Sequence, residues 1–343
     1  MAWANDSAVA LDRWRLRPGR SRRLVIVAGL LLATACGGSG GAGAGASSPD
    51  GAHSSDVGLA AAGGDGEWMP ENKRVERFDE AETLDDLRSQ LTAKSLEGVT
   101  HLDLRGRGWG PELGRLLAES KALASIVSLN VSDNEMGPQG GAALAGSPHL
   151  SELLQLNVGG NDIGDVGAKA LAEATALSGL RALNASGNDI GPDGAQAIAD
   201  SEVLSQLASL DLTMNPIGAE GASALADSST LKELRSLFLL GSGIQTEGAQ
   251  ALAASSSLTN LTVLALSGNG IGDEGAKAIA QSSSLKHLST LDLSANGIGE
   301  KGARALAESS SLASLAALEM FGNEFGSGGE AALQERFGDA LRF

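Results

Sequence analysis

What this 343-residue chain lacks narrows its chemistry. It has one cysteine, Cys36, so an internal disulfide and a cysteine-based metal cluster are both excluded. Its four histidines, His53, His101, His149 and His287, are scattered without ligand spacing. Tyrosine is absent, and base is scarce. Lys and Arg number 25 against 42 Asp and Glu, for a formal charge of −17. A polyanion of that size repels nucleic acid and anionic headgroups, and it favours solubility and basic partners. No G-x-S-x-G elbow, Walker loop, HExxH motif or Ser/His/Asp cluster occurs. The run GGNDIGDVG (159–167) lacks the ligand spacing of an EF-hand. No cofactor, metal or catalytic centre is expected.

A membrane-spanning hydrophobic run is missing too. LVIVAGLLLATA, from Leu24 to Ala35, covers about 18 Å as a helix, well short of the ~30 Å hydrocarbon layer. Behind the basic RSRR at 20–23 it reads instead as an export signal, residues 1–35. That leader holds six arginines against Asp6 and Asp12, so removing it takes +4 from −17 and leaves −21. Ala33-Thr34-Ala35-Cys36 resembles the bacterial lipobox, with Ala33 where leucine is usual. The resemblance implies that Cys36 is lipidated and becomes the mature N-terminus. SRRLVI is also similar to a twin-arginine signal, so either export route stays open. Gly37 after the cysteine resembles lipoproteins of the outer membrane rather than the inner. Residues 36–66 are mostly Gly, Ala, Ser and Asp, a flexible tether with a reach of roughly 30 Å.

What is present is repetition. LTVLALSGNGIGDEGAKAIAQSSSL (261–285) opens as a strand, turns through glycines and closes as an alanine-rich helix. Stepping by 27 from Asn269 lands on Asn134, Asn161, Asn188, Asn215, Ser242, Asn296 and Asn323, and on Arg107 one step before Asn134. Five places earlier stands Leu in all nine units, from Leu102 to Leu318. Two places after zero comes Met136, an Ile column and Phe325; six after comes Gly from the second unit on. The pattern LxxLxLxxNxIGxxGAxALAxSxxL resembles the leucine-rich repeat, in its helical, ribonuclease-inhibitor-like form, across residues 99–329. That resemblance implies an α/β solenoid, a right-handed horseshoe of nine units with parallel strands inside and helices outside. It also implies that Asn134, Asn161, Asn188, Asn215, Asn269, Asn296 and Asn323 bond backbone groups of adjacent turns and are structural.

The residues support this physically. Leu264 and Leu266 alternate with Val263 and Ala265, as a half-buried strand requires. Asp273 and Glu274 occupy a helix's first turn, where acid favours the dipole. No unit can hide its own leucines, so neighbours must stack. Strands ~4.8 Å apart and helices ~8–9 Å apart then force a bend of roughly 18–24° per unit. Residues 67–98 read as an N-terminal cap, with Phe78, Ala81, Leu84, Leu87 and Leu91 at helical spacing. Residues 330–343 read as a C-terminal cap, in which Leu333 and Phe337 share a face and Gly338 stops the helix.

The positions six, four and two places before zero are expected to be exposed on the inner face. Its middle column runs Asn130, Asn157, Asn184, Asp211, a polar ladder for a partner or for bonds between neighbours, and returns to acid at Asp292 and Glu319. Phe238, Leu240, Val263 and Ala265 interrupt it as an apolar patch, a candidate hot spot. Phe321 beside Glu319 is a second. The expected function is a non-catalytic, membrane-anchored scaffold of the bacterial envelope. Its partner would be a protein or peptide, a basic one being favoured by the chain's acidity, and not nucleic acid. The alternatives are a passive spacer and, last, an effector or enzyme with an unrecognised site.

Overall fold

The computed structural model describes residues 75–78 and 81–343. The export signal, Cys36, the tether to residue 66 and the first part of the N-terminal cap lie outside the described residues.

The LxL alternation of each unit builds a three-residue strand whose middle leucine is buried. In order the strands are β1 (Val75–Glu76), β2 (His101–Asp103), β3 (Ser128–Asn130), β4 (Gln155–Asn157), β5 (Ala182–Asn184) and β6 (Ser209–Asp211). There follow β7 (Ser236–Phe238), β8 (Val263–Ala265), β9 (Thr290–Asp292), β10 (Ala317–Glu319) and β11 (Leu341–Arg342). Among the described residues these form one parallel sheet in sequence order. From β2 to β10 every pairing keeps the 27-residue step: Leu102 faces Leu129, Leu129 faces Leu156, and so to Leu318. The units are in phase, as counted from the sequence.

A helix follows every strand but the last: α1 (Leu84–Gln90), α2 (Pro111–Glu119), α3 (Gly137–Ala145), α4 (Gly164–Glu173) and α5 (Pro192–Asp200). The series continues with α6 (Gly218–Asp227), α7 (Gln245–Ala254), α8 (Gly272–Gln281), α9 (Glu300–Ala307) and α10 (Gly326–Phe337). Each packs on the helix before and the helix after it. Between sheet and helices lies one continuous core. In the unit around Asn269 it takes in Leu264, Leu266, Ile271, Ala276, Ile279 and Leu285, all fully buried. Each such leucine contributes about 2 kcal/mol. The glycine six places after zero is required by closeness. A Cβ on Gly275 would lie 2.2 Å from Ile271 Cγ2 and 3.2 Å from the Ala249 Cβ of α7.

Two hydrogen-bond ladders join the units. Asn161 Nδ2 donates to the carbonyls of Val131, one unit back, and of Val158 and Gly159. Its Oδ1 accepts from the N–H groups of Asn134 and Met136. The buried amide thus satisfies backbone groups of two turns at once. The second ladder lies at the helix ends. Ser201, Ser228, Ser255, Ser282 and Ser309 each donate to an alanine carbonyl of the preceding unit's helix, at 2.5–2.6 Å. Each hydroxyl also accepts the N–H of the leucine three residues on, from Leu204 to Leu312. Carbonyls left open at a helix C-terminus are closed from the next unit.

The caps differ from expectation. The N-terminal helix begins at Leu84, and Phe78 and Ala81, though buried, precede it. Thr83 is the reason: its hydroxyl accepts the Asp86 N–H at 3.1 Å while Asp86 accepts the Thr83 N–H at 2.9 Å, and this capping box fixes the start. Both ends also add a two-residue parallel strand, β1 and β11, that was not foreseen. Their pairings, Val75 with His101 and Leu318 with Leu341, fall short of the 27-residue step. At the far end α10 buries Leu333 and Phe337 and stops at Gly338, whose φ is 50°.

Candidate partner-binding face

The open face of the sheet is built by the residues flanking each buried leucine. Of its three columns, the middle one is half-buried from Asp103 to Glu319, and the third is exposed at Arg105, Leu240 and Phe321 but, against expectation, buried at Ser132, Gly159 and Ser294. The first column departs from expectation. Val263 is only 3% exposed, as Ala182 and Ser236 are also buried in that column. At the start of a mid-sheet strand a short branched side chain lies between two neighbours, here Ser236 and Thr290, and reaches no solvent. Val263 is therefore buried in the sheet face, apart from the leucine core, and offers little surface to a partner.

The polar ladder is also wired differently. Asn130, Asn157 and Asn184 do not bond one another across strands. Each Oδ1 accepts the N–H two residues on in its own strand, from Ser132, Gly159 and Ser186, at 2.9–3.0 Å. Asp211 and Asp292 do the same with Thr213 and Ser294, both at 2.9 Å. A short polar side chain finds its own backbone nearer than its neighbour's side chain. Among the described residues, the Nδ2 groups of the three asparagines have no hydrogen-bond partner.

The carboxylates differ in their surroundings. Asp103 is paired with Arg77 at 3.2 Å and Arg105 at 3.4 Å, and Glu319 with Arg342 at 3.7 Å. Asp211 and Asp292 have no ion pair among the described residues. Asp211 stands between Asn184 and Phe238 in the sheet register. Burial pushes its carboxyl above the ordinary carboxylate range, opposed by hydrogen bonds from the Thr213 hydroxyl and N–H.

Beside Asp211 the face turns apolar. Phe238 is half-buried, Leu240 is 36% exposed and Met214 is 41% exposed. All three lie at the β6–β7 seam, where Met214 N–H donates to the Leu240 carbonyl at 2.7 Å. Met214 was missed in the sequence, although a signal was there. It fills the place just before the Asn column, where other units have Asp133, Gly160, Gly187, Gly241, Gly268, Ala295 and Gly322. Every one of these has positive φ, and Met214 has φ 57°. A bulky side chain in that left-handed region is an outlier. Phe321, 48% exposed, is a second isolated apolar position.

The same seam carries the break in the Asn column. Ser242 Oγ donates to the Leu212 carbonyl at 3.1 Å but is too short to receive N–H groups from the preceding turn. Ile217 N–H turns instead to the Asn215 carbonyl at 2.8 Å. Elsewhere among the described residues, no group of three or more His, Cys, Asp or Glu could hold a metal ion. No helix there is long and apolar enough to cross a membrane. On the helical side, a cleft of about 390 Å³ between α5 and α6 is lined by Gln196, Asp200, Glu220, Ser223, Ala224 and Asp227.

Strand-turn-helix units, in phase, closed by an asparagine ladder, define a repeat solenoid. The fold is a leucine-rich repeat solenoid. A family model described as leucine-rich repeat matches residues 122–145, 149–172, 179–199, 206–226, 257–280 and 284–307. The unit of Phe238, Leu240 and Ser242 falls in the gap. Among solved structures, the chain is similar to an internalin from Listeria monocytogenes. Identity is 20%, with 76% of this chain and 70% of that one covered and a TM-score of 0.46. It is similar also to the yeast Rad7 and Elc1 complex, with 16% identity, coverage of 74% and 70%, and a TM-score of 0.45. A TLR13–ssRNA13 complex matches at 20% identity and a TM-score of 0.44, covering 75% of this chain but 37% of that one. No curated protein matches significantly.

Proposed function

We propose that this protein is a lipid-anchored scaffold of the bacterial cell envelope that holds a protein or peptide on the open face of its sheet. One observation carries the reading. On a face made mostly of small polar side chains, Phe238, Leu240 and Met214 bring three large apolar side chains to one seam, whereas Phe321 stands alone. Aromatic and aliphatic anchors ringed by polar groups are where binding energy concentrates. A pre-formed face on a stacked array loses little entropy when a partner docks. The acidic balance of the chain favours a basic partner over nucleic acid. Binding would proceed by complementarity, without a covalent step.

The repeats are of the ribonuclease-inhibitor-like kind, for which the regular helix after each strand speaks. Anchoring rests on the sequence alone: export signal 1–35, a lipid on Cys36, and a tether to residue 66 that keeps the array just off the membrane, outer rather than inner. Phe238→Asp with Leu240→Asp should abolish crosslinking to the native partner in cells while circular dichroism stays unchanged. Undiminished crosslinking would make the protein a passive spacer. For the anchor, Cys36→Ala should move the protein from the membrane to the soluble fraction, and a variant that still pellets removes the lipid from this account.

A further inference from the structure

We infer that the partner is anchored by a lysine- or arginine-type side chain, its charged head on Asp211 and its aliphatic stem along Phe238, Leu240 and Met214. This rests on the reading of the open face as a recognition surface and names the chemistry it recognises. Charge complementarity is the first ground. In the three columns of the face, from the second unit to the ninth, no Lys, Arg or His occurs, whereas Asp211, Asp292 and Glu319 do. Glu319 is paired with Arg342, so among the described residues Asp211 and Asp292 are the carboxylates of these units' columns left without a cation.

The two are not equivalent. Asp292 lies between Ala265 and Glu319 in the register, and of large apolar side chains only Phe321 stands in the next column beside it, where Asp211 has both Phe238 and Leu240. Asp211 lies between Asn184 and Phe238, with Thr213 as the source of its hydrogen bonds. A carboxylate has about four acceptor sites, so room remains for two or more donors. Burial already disfavours its charge. An incoming cation would relieve that penalty, and the partly dehydrated site would strengthen the bond.

The apolar side chains complete the fit. Long cationic side chains bury their methylene stems on apolar surface while the head finds its counter-charge. A guanidinium or ammonium also gains from an aromatic face such as Phe238. Met214, held outward at positive φ, supplies a soft and adaptable wall. A purely apolar anchor would leave Asp211 dehydrated and unpaired, and an acidic one would be repelled by it.

The test is selection of a randomised dodecapeptide display library on the purified full-length chain, followed by anisotropy titration of the best peptide. Enriched peptides should carry Arg or Lys flanked by apolar residues. Asp211→Asn should weaken the best one roughly tenfold or more, and Asp292→Asn far less. The variant keeps the fold, since Asn fills that place in three neighbouring units. Replacing the peptide's basic residue by norleucine should cost as much as Asp211→Asn and add little on top of it. Peptides lost on Phe238→Asp but lacking a basic residue, or bound equally by Asp211→Asn, would overturn this inference and leave the open face standing. Peptides indifferent to Phe238→Asp, or no enrichment at all, would overturn both.

Discussion

The seam between the units of Asn161 and Asn188 and the seam between those of Asn215 and Ser242 are built from one pattern, yet they are held differently. At the first, Asn188 Oδ1 receives the N–H groups of Asn161 at 3.0 Å and Ile163 at 3.3 Å, and Nδ2 returns a bond to the Val158 carbonyl. At the second, the Ser242 side chain keeps one bond to the turn before it, and Ile217 N–H folds back on its own turn. Their open faces diverge in parallel: Asn157, Gly159, Asn184 and Ser186 on one, Asp211, Met214, Phe238 and Leu240 on the other. In a solenoid each unit leans only on its neighbours, so a weak seam is a local cost that the rest of the array tolerates. Departures from a local rule gather where a protein does something besides fold. Here two of them, the lost amide and the left-handed methionine, coincide with the apolar patch.

The largest contrast should come from the ladder. Asn161→Ala leaves two buried N–H groups and several carbonyls without partners, and should cost about 3 kcal/mol or more. Ser242→Ala removes little that is not already missing and should cost about 1 kcal/mol. Guanidinium unfolding midpoints at constant slope would separate them. Equal costs would mean that the two seams are energetically alike. Ser242→Asn sharpens the point in the other direction. Restored acceptance from Asn215 and Ile217 should stabilise the array by about 1 kcal/mol. Hydrogen exchange of those two amides should slow, and unchanged exchange would show that the new amide is not seated.

Met214→Asn comes next. Asparagine tolerates positive φ, where an ordinary side chain is held at a cost of roughly 1 kcal/mol. Stability should stay level or rise by up to about 1 kcal/mol, while partner binding falls. A loss of several kcal/mol in thermal unfolding would instead mark Met214 as part of the core.

Most of the frame was legible because one period wrote it nine times. The 27-residue step placed every strand pairing from β2 to β10, and the resemblance to the leucine-rich repeat implied the ladder made by the Asn column. What escaped was whatever depends on a neighbour in space or on a short exception. The buried state of Val263 follows from Ser236 and Thr290 on either side. The repeated Ser after each helix was visible in the pattern, but its bond to the preceding helix needed the distance of the stack. β1 and β11 are two residues long, too short for any alternation to declare them, and the start of α1 was set by Thr83 rather than by apolar spacing. At the candidate site, Phe238 and Leu240 could be read as departures from a polar face. Met214 could have been, had the column of glycine, aspartate and alanine been read as a demand on φ.

The smallest effect should be in how stability depends on pH. Asp211 is held above the ordinary carboxylate range by burial, so the folded chain binds more protons than the unfolded chain between the ordinary and the raised value. Stability contributed at this site is therefore present below that window and lost as pH rises through it. Its strand neighbours Asn184 and Phe238 do not titrate, so Asp211→Asn should remove the dependence cleanly. Urea midpoints of variant and wild type should draw apart as pH climbs through the window, the variant gaining. Asn157→Asp places a carboxylate in the same column between two asparagines, away from the apolar patch. It should show a weaker dependence than Asp211. If both aspartates behave alike, the dehydration belongs to the whole column and not to the seam beside Phe238.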